Sequence, residues 1–321
     1  MKKISIVTPV FNEEKNIVRY FDALNKIKYP RDNFELIIVN DGSADNSLKI
    51  LEQEKEKSNV SVQIINFTKN KGWIIARETG AREAKYENLL FFDCKCEIFP
   101  DALDELVKLN YQPINGNSVQ KEDSVFDIFF LLIRRVLYKN QCTSSFDDFL
   151  ITKKNFDSSA KGTTIFFCDK TLFLESLPQN KTNKATSDDI KLLRNVLEKK
   201  EILKTSKVKV FYNTRKTVKD NIKHLMTRGP RFVDYYYKWG QRYFWPMNFG
   251  LGCFLLIIFL LIAQIYLFEM VSILILSNIM IALYLARNIK DFLIVFLLFP
   301  VVSIVFLIGI IKGLFIKFLH L

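Results

Sequence analysis

The chain has only two histidines, His224 and His320, and its five cysteines, at positions 94, 96, 142, 168 and 253, form no spacing ladder. A structural zinc site needs Cys and His at short fixed intervals, so none is expected. Cys94-Lys95-Cys96 has the outline of a redox pair, but reduced thiols in a cytosolic domain are the default. No Gly-x-Gly-x-x-Gly follows any apolar run and no P-loop is present, which argues against a dinucleotide fold of the dehydrogenase kind. Charge almost disappears after residue 248, so the tail offers no ionisable path for a transporter. The start, Met1-Lys2-Lys3 followed by Ile4 to Val10, is too short for a signal peptide, is broken by Pro9 and runs into Glu13-Glu14.

What is present is apolar bulk and positive charge. The 321 residues are 49% hydrophobic with 29 Phe, enough for a substantial core and more than one domain. The net charge is +12, and residues 204 to 242 carry eleven Lys or Arg against Asp220 and Asp234, which is +9 of it. That basic segment directly precedes the apolar tail. A membrane surface is therefore the expected partner rather than nucleic acid, for which no motif accompanies the charge.

Along the first hundred residues, strand-like and helix-like stretches alternate. Ile4 to Thr8 is a short β-rich run, and a helix follows from Asn12 to about Lys26. Phe34 to Asn40 runs into the turn Asp41-Gly42-Ser43, and a helix carries Leu48 to Lys57. Val62 to Phe67 is a third strand, Asn70-Lys71-Gly72 a turn, and Trp73 to Ala84 a helix with Ile75, Thr79 and Arg82 at helical spacing. Leu89-Leu90-Phe91-Phe92 is a buried strand that ends abruptly in Asp93-Cys94-Lys95-Cys96-Glu97. Such alternation implies βαβ units and a mostly parallel, doubly wound α/β sheet. Ligands bind beyond the carboxyl ends of such strands, so Asp41 and Asp93 face one crevice.

Three pieces carry a resemblance: Ser5-Ile6-Val7-Thr8-Pro9-Val10-Phe11-Asn12-Glu13-Glu14, Val39-Asn40-Asp41-Gly42-Ser43-Ala44-Asp45, and Asn70-Lys71-Gly72 with Ala76-Arg77 and Gly80. Together, in this order and spacing, they resemble family 2 glycosyltransferases of the GT-A fold. The resemblance implies a nucleotide-sugar site lined by Thr8, Pro9, Phe11, Glu13, Asp41, Gly72, Arg77 and Asp93, with Asp41 near the base and Asp93 near the ribose and diphosphate. Asp93 matches the first acid of the family's Asp-x-Asp motif, but Lys95 stands where the second acid, the metal ligand, is expected.

Three readings of that departure stay open. Lys95 neutralises the diphosphate as a fixed cation and transfer needs no metal; or Glu97 or Asp93, with ligands from elsewhere, holds a magnesium or manganese ion; or the site binds a nucleotide and catalyses nothing. Gly162-Thr163-Thr164-Ile165-Phe166-Phe167 resembles the family's turn and strand near the donor sugar, with an ordinary glycine turn as the alternative. By the same resemblance, Asp188 and Asp189 match an acidic pair at a helix start, with Asp189 as base; two acids there also serve as cap and dipole partners.

The expected domains are 1–215 for the GT-A catalytic part, 216–246 for a basic amphipathic interfacial helix kinked at Arg228-Gly229-Pro230-Arg231, and 247–321 for a membrane region. Apolar stretches near 249–267, 270–286 and 292–311, the last containing Pro300, allow two to four crossings, with the catalytic part cytosolic. Arg228 and Arg231 are candidates for gripping a lipid phosphate. The expected activity is inverting transfer from a nucleotide sugar, most readily a UDP-sugar, to a lipid-linked or other membrane-presented acceptor in cell-envelope glycan assembly. The competing class is a silent nucleotide-binding scaffold subunit, and homo-oligomerisation is left open.

Overall fold

The computed structural model describes residues 1–139, 141, 143–179, 187–264 and 266–319. In chain order, the first half holds β1 (Ile4–Val10), α1 (Ile17–Asn25), β2 (Phe34–Asn40), α2 (Ser47–Lys57), β3 (Ser61–Asn66), α3 (Trp73–Glu83), β4 (Asn88–Phe92), β5 (Cys96–Ile98), α4 (Ala102–Lys108), β6 (Ile114–Gln120) and α5 (Val125–Leu137). Then come β7 (Phe149–Ile151), β8 (Ile165–Asp169), α6 (Lys170–Glu175), α7 (Asp188–Lys199), β9 (Ile202–Tyr212), α8 (Val218–Tyr236), α9 (Phe244–Ala263), α10 (Leu267–Leu285) and α11 (Ile289–Phe318).

Among the described residues the strands form one sheet in the order β3-β2-β1-β4-β8-β6-β9-β5, with β7 also on β9. Strands β3, β2, β1 and β4 are mutually parallel. Strand β8 runs antiparallel to both β4 and β6, and β6 is parallel to β9. The sheet is thus mixed and mostly parallel in its first half, as the βαβ alternation requires. Strand β2 is buried along its whole length, which fits its apolar Leu36–Val39 stretch, while the buried Glu35 carboxylate accepts from Ser5 Oγ at 2.6 Å. Helix α3 does not bury the Ile75–Thr79–Arg82 face; it turns Ile74, Ala76, Arg77, Gly80 and Ala81 inward.

The described chain separates into two compact units. One comprises Met1–Lys121, residues 137–179 and Asp188–Thr214; the other comprises Glu122–Val136, Ser187 and residues 215–319. A segment expected inside the first domain, 122–136, therefore groups with the second unit. Its amphipathic helix α5 buries Ile128, Phe129 and Leu132 against Ala282, Leu285, Ile294 and Val295 of α10 and α11. Arg135 reaches the Leu285 carbonyl at 3.3 Å, and Arg287 binds both Glu122 and Asp291 at 2.7 and 2.6 Å. Both pairings shift Arg287 further up, away from deprotonation.

Among the described residues two helices are long and apolar enough to cross a membrane, α10 and α11, while α9 carries a shorter apolar stretch, Phe244–Leu260. Pro300 lies inside α11 without ending it, and Pro230 lies inside α8. The apolar stripe of α8 is split: Leu225 and Val233 are buried, whereas Val218 and Ile222 stay exposed. Helices α8 and α11 approach so closely that a Cβ on Gly229 would fall 2.1 Å from the Gly309 carbonyl carbon. Beside that crossing, Phe232, Tyr243, Met247, Phe306 and Ile310 help line an apolar cavity of about 380 Å³.

The turn after β2 depends on one glycine. Gly42 has φ +67°, and a Cβ there would lie 2.4 Å from the Lys69 carbonyl carbon. Strain and overlap add. Gly42→Ala should lower the Tm by about 5 °C or more in a thermal-shift assay; an unchanged Tm would show that this turn relaxes freely.

Candidate active site

Strands β1, β2 and β4 end on the same side of the sheet, and the turns that follow them meet there. The β1 and β2 turns are stitched to each other: the Asn12 and Glu13 amides donate to the Ser43 and Ser47 hydroxyls at 3.0 and 2.8 Å, and the Ala44 amide donates to Asn12 Oδ1 at 2.8 Å. Asn12 adopts φ +55° to allow this, a conformation asparagine tolerates better than most residues. The crevice therefore has a fixed rim.

Asp41 forms its floor on the β2 side. Its carboxylate, buried at 2% exposure, accepts from the Lys71 amide at 2.7 Å, the Gly72 amide at 3.0 Å and Asn70 Nδ2 at 3.0 Å. It thereby shapes the Asn70-Lys71-Gly72 turn that starts α3. Burial raises its carboxyl above the ordinary range, and the two amides pull it back. Gly72 supplies a positive φ of 98° at the helix entry.

The central group is Arg77. Although charged, it is 2% exposed, with its guanidinium 4.7 Å from the Trp73 ring. It donates to Thr163 Oγ1 at 2.5 Å, to the Thr163 carbonyl at 2.9 Å and to Asp93 Oδ1 at 2.7 Å. Arg77 therefore does not lie on a solvated helix face. Asp93, just past β4, also donates its amide to the Thr164 carbonyl at 3.2 Å. Desolvation raises the Asp93 carboxyl; Arg77 and Lys95 oppose this, while the nearby Asp189 charge adds to it.

Lys95 pairs with Glu13 at 2.9 Å, its side chain about one-third exposed and that of Glu13 at 11%. Glu97 instead accepts from Asn213 Nδ2 at 2.9 Å and lies 4.0 Å from Lys121. Among the described residues no three His, Cys, Asp or Glu side chains converge as a metal site. Asp93 and Glu97, offered as alternative metal ligands, are engaged separately, by Arg77 and by Asn213, and do not form a shared ligand set. Burial pushes the Cys94 and Cys96 thiols well above their ordinary range, which leaves them protonated rather than redox-active.

The remaining expected residues fall out as follows. Thr8 is fully buried, and its hydroxyl meets the Tyr20 hydroxyl at 2.5 Å and the Phe92 carbonyl at 3.0 Å, so it ties β1 to the end of β4. Pro9 is half-buried and Phe11 is exposed at the rim. Asp188 and Asp189 open α7; Asp188 is buried with Lys191 at 3.8 Å, and Asp189 is partly exposed. Arg228 and Arg231 are exposed on α8 in the second unit. Reading the sequence missed Thr163 as a ligand of Arg77, and Asn115 and Lys204 altogether. Nothing local marks those positions.

A mixed sheet with these turns over its parallel half is the GT-A fold, and known proteins similar to this chain agree. The description "Glycosyl transferase family 2" matches residues 5–169, just over half of the chain. The chain belongs to glycosyl transferase family 2. It is 28% identical over 130 residues to an undecaprenyl-phosphate 4-deoxy-4-formamido-L-arabinose transferase of Photorhabdus laumondii, covering 39% of this chain and 40% of that one. It is 41% identical over 102 residues to a poly(ribitol-phosphate) beta-glucosyltransferase of Bacillus spizizenii, covering 32% and 16%. The match thus spans less than half the length of these relatives. Among solved structures, S. aureus TarS in complex with UDP-GlcNAc aligns with TM-score 0.53 at 16% identity, over 72% of this chain and 67% of that one. The mannosyltransferase PcManGT of Pyrobaculum calidifontis, in complex with GDP-Man and Mn2+, aligns with TM-score 0.52 at 15% identity, over 73% and 63%.

The two floor acids set a pH dependence. Both folded-state values lie above the ordinary Asp value, so the folded chain takes these protons first. Acidification through that window favours the fold as far as these two groups are concerned, yet it removes the charge that Asp93 offers to Arg77. Affinity for UDP, the ligand proposed below, should therefore decline on acidification before the ordinary Asp range is reached, and Asp93→Asn should bind more weakly and keep only the part of the pH dependence that Asp41 sets. Calorimetric titration at stepped pH measures this; an affinity in the native chain that holds constant down to the ordinary Asp value would contradict it.

Proposed function

We propose that this chain is an inverting glycosyltransferase that moves a sugar from a nucleotide sugar, a UDP-sugar in the first instance, to an acceptor presented at a membrane. The observation that carries this reading is the convergence, at the strand ends of a family 2 chain, of the Arg77–Asp93 bridge, the Lys95–Glu13 pair and the charge of Asp189. Asp41 and its turn hold the nucleoside side, with Pro9, Phe11 and Glu13 at the rim, and Asp93 meets the ribose and diphosphate. Asp189 takes the proton from the acceptor hydroxyl as its oxygen attacks the anomeric carbon, and the nucleoside diphosphate departs with the bonding electrons. Asp188, buried behind it, fixes the start of α7.

Lys95 is the cation for the departing diphosphate. An ammonium there supplies the same sign of stabilisation as a metal and needs no carboxylate ligand. Part of its charge is already balanced by Glu13, so diphosphate binding draws Lys95 from an acid rather than from water.

The acceptor is lipid-linked in this reading. Two helices of crossing length, and the basic α8 with Arg228 and Arg231 exposed, favour a membrane-anchored enzyme with an interfacial helix that meets lipid phosphate. The Photorhabdus relative is itself named for undecaprenyl phosphate. Cell-envelope glycan assembly is the setting that joins these features.

The test is transfer from a panel of nucleotide sugars by detergent-purified protein with a membrane lipid extract, run with EDTA and with added Mg2+ or Mn2+. Turnover is expected to survive EDTA, and Lys95→Ala to abolish it; strict metal dependence would remove Lys95 from this role. Asp189→Asn should lower turnover by about 10²- to 10⁴-fold while donor binding persists. Nucleotide binding without turnover of any donor would identify a silent subunit instead.

A further inference from the structure

Lysine is seldom buried unless its charge is met by hydrogen bonds, yet Lys204, in the middle of β9, is 5% exposed. Its ammonium donates to Asn115 Oδ1 at 2.9 Å and to the Gly116 carbonyl at 2.6 Å. Both acceptors lie on β6, where the pairing of β6 with β9 shifts register between Asn115 and Asn117. A bulge of this kind breaks the ladder locally and re-aims side chains. Lys204 meets the carbonyl at the bulge, and Gly116 is needed there because a Cβ would lie 2.7 Å from the Val208 carbonyl oxygen.

The re-aimed side chain is Asn115, 2% exposed, whose Nδ2 donates to the Gly162 carbonyl at 2.5 Å. The next two residues are those that hold the crevice acid: Thr163 accepts twice from Arg77, and the Thr164 carbonyl accepts from the Asp93 amide. Hydrogen bonds and the backbone of the 162–164 turn therefore connect Lys204 through Asn115 to Asp93.

We infer that Lys204 and Asn115 are positioning residues, which set the height of the Gly162–Thr164 turn and through it the placement of Asp93 for the donor. A bulge stabilised only for the sake of the sheet would not need Asn115 aimed at the Gly162 carbonyl. Among the described residues Arg77 Nε keeps no hydrogen-bond partner, but connected networks of this sort rigidify one arrangement, and a one-bond defect is felt along their length. The inference rests on the crevice being the donor site.

Asn115→Asp isolates the link: it keeps an oxygen acceptor for Lys204 but replaces the donor that faces the Gly162 carbonyl with a second acceptor. Calorimetric titration of the full-length protein in detergent with UDP-glucose, UDP-GlcNAc and GDP-mannose first identifies a donor that binds. Asn115→Asp should then weaken that donor by about 10-fold with a Tm within a few degrees of the native protein, and Lys204→Met should act in the same direction. In an Asp93→Asn background the same Asn115→Asp change should cost less than about 2-fold, because its route to the donor is already cut.

Equal losses in both backgrounds, or unchanged donor affinity in a folded Asn115→Asp protein, would overturn the inference and leave Lys204 as support for the bulge alone. If Asn115→Asp does not fold, Lys204→Met decides: a loss of donor affinity of about 10-fold that shrinks below about 2-fold in the Asp93→Asn background supports positioning, and equal losses in both backgrounds, or no loss, contradict it. Failure of the native protein to bind any of the three donors would instead remove the donor-site reading on which the inference stands.

Discussion

A guanidinium taken out of water is the constraint on which the crevice depends. Burying the Arg77 charge is costly unless it is matched, and it is matched by Asp93, by both oxygens of Thr163 and by the Trp73 ring face. Each partner comes from a different place: α3 itself, the end of β4, and the turn before β8. Helix α3 lies close enough on the sheet to deliver the group because position 80 is glycine; a Cβ there would sit 2.5 Å from Val7 Cγ1. The parallel half of the sheet and its first antiparallel strand are thereby joined at the mouth of the crevice, through a charge that has nowhere else to go.

Lysine at position 95 follows the same electrostatic logic. Glu13, Asp93 and Asp189 bring negative charge to one small region, and Arg77 and Lys95 answer it from the protein's own side chains. Glu97, the other acid close by in sequence, faces Asn213 instead. The Cys94-Lys95 turn separates it from Asp93, which lies before β5 rather than on it.

The second unit is organised by close backbone approach rather than by charge. Helices α8 and α11 meet at Gly229, Gly309 and Gly313, where the absence of Cβ atoms lets two backbones touch. Pro300 and Pro230 each remove one backbone donor from a helix, but neither ends it. Helix α5 joins this unit through the Phe129 and Leu132 face and the Arg287 clamp on Glu122, although its sequence lies between two strands of the first unit.

By itself the sequence determined the first half of the sheet and the acids at its strand ends. Those signals are local: unbroken apolar runs for β2 and β4, a turn of Asp41-Gly42-Ser43, and period-2 against period-3.6 patterning, all readable within ten residues. It also marked the departure at Lys95 and the apolar tail. The start of β9, Ile202-Leu203-Lys204-Thr205-Ser206, carries no such pattern, and the bulge on β6 that accommodates it has no sequence signature. Which charge meets which was decided only by tertiary structure. Arg77 and Thr163 are separated by 86 residues and Lys204 and Asn115 by 89, and a buried ion's partner is set by what the fold brings within about 3 Å of it, a distance that spacing along the chain does not encode.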